Sequence, residues 1–237
     1  MVGALIVVTF SGSKGGTGKT TLAVSVSVVT SALLSTLLVD TSAEGGATAY
    51  LLGDAPPPYL REDPERSLRR VEAEGLRIFV AVNRGALTNV EAVAKAVEAW
   101  ASRFELVMLD IPALTDVDAV ERYMPLLRLA DTVLVVAEPN PASLEASLYT
   151  FGAKRVVVAL NSPRPYPKTV VDHYTRVVAS FCRRASEKGV PADYVLIPYD
   201  PAVSRLGPST FKVLNYTSEE FDSAIMRLAS LLLLRKK

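Results

Sequence analysis

Residues Ser11–Thr21 read SGSKGGTGKTT, and the fold turns on this stretch. An apolar, β-branched run, Ala4–Phe10, precedes it, and a helical pattern opens at Lys19. A glycine-rich turn between a strand and a helix is the context that a phosphate-binding loop requires. Gly15, Gly16 and Gly18 let the backbone turn and approach an anion with no Cβ in the way. Successive N–H groups then face the anion at a helix N-terminus, where the peptide dipoles also favour negative charge. Lys19 is placed to reach the β- and γ-phosphates of a nucleotide, and the Thr20 hydroxyl to bind Mg²⁺. Ser13, Lys14, Gly15, Gly16, Thr17, Gly18, Lys19, Thr20 and Thr21 are thus the expected nucleotide-binding segment. The strict pattern G-x-x-x-x-G-K-[ST] asks for glycine where this chain has Ser13. The loop is instead a variant, K-G-G-x-G-K-[ST], with Lys14 as an additional cation. By composition, a chance match in a chain this long has a probability on the order of 10⁻⁴ or less.

Outward from the loop, short apolar runs alternate with helical patterns, which predicts βαβ units and a parallel sheet. The expected strands are Ala4–Phe10, Thr36–Asp40, Leu76–Val82, Leu106–Asp110, Thr132–Ala137, Arg155–Leu160 and Tyr194–Ile197. Most are near-continuous Val, Ile and Leu, as in strands covered on both faces. Helices are expected over Lys19–Leu34, Asn89–Ser102, Thr115–Leu129, Ser143–Phe151, Lys168–Lys188 and Ser218–Leu234. Gly53–Arg70, with Pro56, Pro57 and Pro58 followed by alternating charges, reads as an irregular surface excursion open to motion. No linker divides the chain, so residues 1–237 read as one domain of the α/β class.

Composition excludes several other classes. The chain has 237 residues, 49% hydrophobic and 22% charged, which is too apolar for disorder. Cys182 is the only cysteine, so neither a disulfide scaffold nor a thiolate cluster within one chain is available. A formal charge of +1 argues against a strongly basic nucleic-acid coat but leaves room for a local patch. No basic region precedes the first apolar run, as a signal peptide would need. Thr20–Val39 lacks charge over about 20 residues, a bilayer's span, yet Ser and Thr interrupt it and it divides into a helix and a strand. A cytoplasmic protein is expected. Glutamine is absent and arginine outnumbers lysine nearly two to one, which suggests a hot host.

The loop resembles the deviant Walker A motif of the ParA/MinD ATPases, a family that includes nitrogenase iron protein, arsenite-pump and iron–sulfur-carrier relatives. The resemblance extends over nearly the whole chain and is closest to the ParA-like partition ATPases. It implies a P-loop NTPase with a mostly parallel, twisted sheet and helices on both faces, using ATP and Mg²⁺. It also implies a homodimer formed on ATP binding, in which Lys14 crosses the interface to the partner's phosphates. Family members follow the second strand with D-x-D-P-Q-G-N-A-T; Asp40–Thr48 reads DTSAEGGAT. Asp40 matches the first Asp, whereas Ser42 stands where the family has the Asp that helps to position the attacking water. Glu44 and Gly46 replace the usual Gln and Asn. Slow hydrolysis is the expectation, because a serine is a poor substitute for a carboxylate that orients water. Phe104–Ala113, FELVMLDIPA, resembles Walker B with switch II, which assigns Asp110 to Mg²⁺ alongside Thr20. Catalytic roles by this resemblance fall on Lys14, Lys19, Asp40 and Asp110. Asp116 and Asp118 read as acids of a first helical turn. Asn161 ends the strand RVVVALN, where the family's Asn meets the adenine edge; Pro198 and Asp200 match the family's base-lining I-P-x-D strand end, which implies Ile197, Pro198 and Tyr199 near the base.

Two surfaces bear on what such a switch would act upon. Arg176, Arg183, Arg184 and Lys188 can share a helical face and, with Arg164 and Lys168, could track a DNA backbone. His173 on the same helix reads as a surface residue. The end of the chain, SEEFDSAIMRLASLLLLRKK, fits a membrane-binding amphipathic helix only loosely. Phe221, Ile225, Leu228 and Leu232 make an ordinary core-facing stripe. The leading expectation is a ParA-like switch that binds DNA nonspecifically for chromosome or plasmid partition, with a ParB-type adaptor implied by resemblance. The alternatives are a MinD-like positioning ATPase on membrane and a hydrolysis-deficient ATP-binding scaffold. Amide-forming ligases such as dethiobiotin synthetase share this fold, but their loop lacks the early lysine.

Overall fold

The run LIVVTF forms β1 (Leu5–Phe10), with all six residues buried. It lies inside an eight-stranded sheet with β2 (Thr36–Asp40), β3 (Leu68–Ala73), β4 (Leu76–Ala81), β5 (Leu106–Asp110), β6 (Thr132–Ala137), β7 (Val156–Asn161) and β8 (Ala192–Ile197). The order is β3-β4-β2-β5-β1-β6-β7-β8, and every pairing is parallel except β3 with β4. The computed structural model describes residues 4–13, 15–73, 75–149, 152–205 and 217–234.

Alternate residues of each strand feed two cores. Ile6, Val8 and Phe10 of β1 point to one face; Leu5 and Val7 point to the other. The first core is closed by α3 (Val90–Trp100), α4 (Val117–Leu129) and α6 (Lys168–Glu187), through Val93, Val97, Trp100, Leu126 and Val178. The second is closed by α1 (Lys19–Thr30), α2 (Gly46–Leu52) and the final helix α8 (Glu219–Leu233), through Leu22, Val26, Leu51, Phe221, Ile225 and Leu228. Two short helices, α5 (Pro141–Ser147) and α7 (Pro201–Arg205), follow β6 and β8. The α/β class, the parallel sheet and the helices on both faces are as expected. The uncharged run Thr20–Val39 divides into most of α1 and nearly all of strand β2. No described helix is long and apolar enough to cross a membrane.

Several boundaries differ from the sequence expectation. Helix α1 stops at Thr30 and leaves residues 31–34 as a turn. Helix α5 starts at Pro141 because the Asn140 side chain accepts the Ser143 N–H and proline suits the first helical position. The stretch read as irregular, Gly53–Arg70, runs at its end into a strand, β3, and the excursion before it is tied down. The Arg69 guanidinium donates to the carbonyls of Arg66 (2.6 Å), Pro56 (2.9 Å) and Leu68 (3.1 Å). Leu60 is fully buried, and its N–H donates to the Val82 carbonyl at 2.8 Å. β3 escaped notice because an edge strand carries charge on its exposed positions, which hides the apolar alternation.

Candidate nucleotide site

The expected site residues, scattered through the chain, come together along one edge of the sheet. Asp40 ends β2, Asp110 ends β5, the phosphate loop follows β1, Asn161 ends β7, and Pro198 follows β8. All lie at the carboxyl ends of parallel strands. β1 has β5 on one side and β6 on the other, so the chain reverses its winding direction there, where open α/β sheets form their binding crevice.

The loop meets α1 at Gly18, which has φ +92° and offers no side-chain cap to the helix. The first N–H groups of a 12-residue helix are therefore free of side-chain caps at the point where an anion would sit. Gly18 is required for a second reason: a Cβ there would strike the Asn161 amide. That amide donates to the Thr17 carbonyl at 2.7 Å. Asn161 thus braces the loop with its nitrogen while lining a cavity of about 180 Å³. The cavity is also bordered by Gly16, Thr21, Pro198, Tyr199 and Tyr50. Pro198 and Tyr199 thus border this cavity together with Asn161, whereas the Ile197 side chain is buried in the core. Asp200, which also borders the cavity, accepts the N–H groups of Ala202 (2.7 Å) and Ser218 (2.6 Å), and these bonds hold its carboxyl below the ordinary range against the opposing effect of burial. Lys14 lies outside the described residues.

Beneath the loop, Lys19, Asp40 and Asp110 are all buried. Burial lowers the Lys19 pKa, and the nearby Asp110 carboxylate partly offsets this. Asp40 and Asp110 are register partners on neighbouring strands. Burial and the Asp40 charge push Asp110 up to about 7, against the pull of Thr20, Lys19 and Thr9. Asp110 Oδ2 is buried with no hydrogen-bond partner. The Asp110 carboxyl, with its unpartnered Oδ2, and the neighbouring Thr20 hydroxyl are donors suited to a hard divalent cation, whose charge would relieve the repulsion between Asp110 and Asp40. Thr17 Oγ1 is buried without a partner as well.

Asp40 has a different occupation from Asp110. Its carboxylate accepts from Ser42 N–H (3.0 Å), Ser42 Oγ (2.7 Å), Thr48 N–H (2.8 Å) and Thr48 Oγ1 (2.8 Å). Despite these bonds, burial raises its pKa. Ser42 Oγ also accepts the Gly46 N–H at 2.9 Å, so it ties the start of α2 to Asp40. A Cβ on Gly46 would lie 3.4 Å from Thr20 Oγ1 and 3.7 Å from Ser42 Oγ, which places Ser42 beside the expected metal ligand. Glu44 is exposed. Asp116 caps α4 by accepting the Ala119 N–H at 2.8 Å, in keeping with its reading as a helix-start acid.

The sequence reading missed Asn83, which is fully buried just beyond the end of β4. Its Nδ2 donates to the Ser42 carbonyl at 2.8 Å, and its N–H to Thr48 Oγ1 at 3.1 Å. A polar residue closing an apolar strand, as Asn161 closes β7, was the available signal. Thr48 matched the family pattern without a stated role. Ser143 and Ser147, which touch the loop from α5, left no signal in the sequence.

No protein-family model matches this sequence, and neither does any curated protein. Solved structures match its fold over nearly all of the chain. An ATP complex of a McdA variant from Cyanothece superposes with a TM-score of 0.73 at 15% identity, covering 99% of this chain and 98% of that one. The septum site-determining protein MinD from Pyrococcus horikoshii OT3, complexed with Mg-ADP, gives 0.68 at 17% identity, covering 97% and 96%. ParA of pNOB8, bound to nonspecific DNA, gives 0.66 at 13% identity, covering 97% and 97%. This chain has the fold of the MinD and ParA ATPases, an α/β P-loop NTPase fold with its loop at the switch point of a mostly parallel sheet.

Proposed function

We propose that the chain is a single-domain ATPase of the ParA/MinD family, a switch that binds Mg-ATP, dimerises on it and then binds DNA nonspecifically. The observation that carries this reading is the buried group of Lys19, Asp40 and Asp110 under the uncapped start of α1. Lys19 would neutralise the phosphates, Thr20 and Asp110 would hold Mg²⁺, and Asn161, Pro198 and Tyr199 would border the base. Bound Mg²⁺ would supply charge neutralisation at the β- and γ-phosphates. Lys14 would reach the partner's phosphates, as the family resemblance implies. Ser42 supports slow turnover: its hydroxyl is engaged with Asp40 and Gly46, and it offers no carboxylate to orient water. A hot host is proposed on composition alone.

DNA as the platform is supported by α6. Lys168, Arg176, Arg183, Arg184 and Lys188 are exposed on it or at its end, and Arg164 is exposed at its approach. Asp172 and Glu187 are also exposed on α6, and Glu187 lies 4.0 Å from Arg183. The patch is therefore moderate in strength and suits weak, salt-sensitive phosphate contact. A membrane platform gains less support, because the apolar stripe of α8 is spent in the core. Arg235, Lys236 and Lys237 lie outside the described residues. The ParB-type adaptor and a nucleoid-associated location rest on resemblance alone, whereas a cytoplasmic location rests on the sequence reading.

The test is fluorescence anisotropy with random-sequence duplex DNA, in Mg-ATP and in Mg-ADP, at two salt concentrations. ATP-dependent binding that falls steeply with salt, and that Arg183→Glu with Arg184→Glu abolishes, is the expected result. Absence of binding in both nucleotide states would remove DNA as the platform.

A further inference from the structure

We propose that Ser143 and Ser147 of α5 are positioning residues of the phosphate loop, holding Gly12 and Ser13 so that the loop starts from a fixed backbone. The inference rests on the nucleotide-binding reading above and adds to it a part of the chain that no loop motif includes.

Three contacts join α5 to the loop. The Gly12 N–H donates to Ser147 Oγ at 3.2 Å. Ser13 Oγ lies 3.3 Å from Ser143 Oγ and 3.0 Å from Ser11 Oγ. A Cβ at Gly12 would land on the Ala146 carbonyl oxygen, so the backbones of α5 and the loop are in direct contact. Ser143 and Ser147 are four residues apart and so share one face of the helix. They are 3% and 0% exposed, so water does not compete for their hydroxyls.

The hydroxyls form a chain. The Glu138 N–H donates to Ser143 Oγ at 2.9 Å, and the Ser143, Ser13 and Ser11 hydroxyls are linked in series, with either member of each hydroxyl pair able to donate. The support is itself anchored. Asn140 caps α5 and Leu144 is buried in the core. Glu138 accepts from Arg164 at 3.2 Å and from the Tyr166 hydroxyl. On the opposite side, the Ser11 carbonyl accepts the Leu114 N–H at 3.0 Å, from the segment that follows Asp110. The start of the loop is thus gripped between α5 and the segment beyond the strand end that carries Asp110. Ser13, the departure from the strict glycine pattern, supplies the side chain that one of these grips uses.

Binding of fluorescent Mg-ATP and Mg-ADP is measured on the full chain for wild type, Ser143→Ala, Ser147→Ala, the double variant and Lys19→Ala. Ser67→Ala serves as control, because it deletes an equally buried hydroxyl, bonded to the Pro64 carbonyl at 2.6 Å, ahead of the far edge strand. Melting temperatures without nucleotide are recorded for all. The expected result is a loss of about tenfold in affinity for each α5 hydroxyl, with Ser67→Ala unchanged in affinity. If the double variant does not fold, Ser143→Ala is set against Ser143→Thr, which keeps the hydroxyl and should restore affinity. Wild-type affinity in the double variant, equal affinity for the Ala and Thr variants, or an equal loss in Ser67→Ala would overturn the proposal while Lys19→Ala still reports on the nucleotide reading. A wild type that binds neither nucleotide would overturn that reading and this proposal with it.

Discussion

Asp110 is a buried carboxyl crowded by a second one, Asp40. Its pKa stands at about 7, against an ordinary value of 3.8. Between those values the folded chain retains a proton that the unfolded chain has released. The contribution to stability is therefore full below about pH 4 and is lost as pH rises through about 7. Without Mg²⁺, the melting temperature should fall from pH 5 to pH 8, and Asp110→Asn should flatten that slope; differential scanning fluorimetry across pH reads both. Mg²⁺ must displace the same proton, so Mg-nucleotide affinity should rise through pH 7 in wild type. Ser42 poses the converse question. Ser42→Asp sets a second carboxylate against Asp40, where the serine hydroxyl now donates at 2.7 Å. The variant should melt lower without metal and should release phosphate from ATP faster, by on the order of 10²-fold if the acid orients water. Phosphate release no faster than wild type would place the limit on turnover elsewhere.

At the level of elements, α8 is held at both ends. Ser218 caps its start by accepting the Phe221 N–H at 3.3 Å, and Glu219, Glu220 and Asp222 occupy the first turn, where the dipole favours acids. At its end, the Arg155 guanidinium donates to the carbonyls of Leu231 (2.5 Å) and Leu234 (2.6 Å) and pairs with Asp193 at 2.8 Å. Arg155 is only 6% exposed, so its removal leaves carbonyls and a carboxylate without partners. Arg155→Ala should cost roughly 2–3 kcal/mol and speed amide exchange over the last turn of α8, as read by hydrogen–deuterium exchange. A helix released for membrane contact would have to break this clamp and expose Phe221, Ile225, Leu228 and Leu232. Edge strand β3 is protected in a similar way: Arg69 binds the Pro56–Pro58 turn over it, and this arginine together with neighbouring charges discourages pairing with another chain.

For the whole molecule, the site is assembled from the ends of strands that are far apart in sequence, so its occupancy should stabilise the entire sheet. Mg-ATP at about 100 times its dissociation constant should add roughly 2.7 kcal/mol. For a domain of this size that corresponds to a rise of about 5–10 °C in melting temperature. Chelating Mg²⁺ should remove most of it, and Lys19→Ala should show none. An equal rise with Mg²⁺ alone would assign the stabilisation to the metal and the carboxylates, with no nucleotide involved.

Local chemistry alone determined much of this protein. The loop SGSKGGTGKTT between a β-branched run and a helix, the apolar strands ending in Asp40, Asp110 and Asn161, and the helical spacing of Val90, Val93, Val97 and Trp100 were all readable. These features depend on neighbours within a few residues, so composition and period carry them. The short helices α2 and α7 span too few turns for a period, and β3 hides its alternation under edge charges. Only the tertiary structure decided that Asp40 spends its oxygens on Ser42 and Thr48, that Asp110 keeps one oxygen unpartnered, and that Asn83 and α5 support the site. Each of these depends on which strand lies beside which. Sheet order follows from how helices and strands share burial across the whole chain, and no local window of sequence contains it.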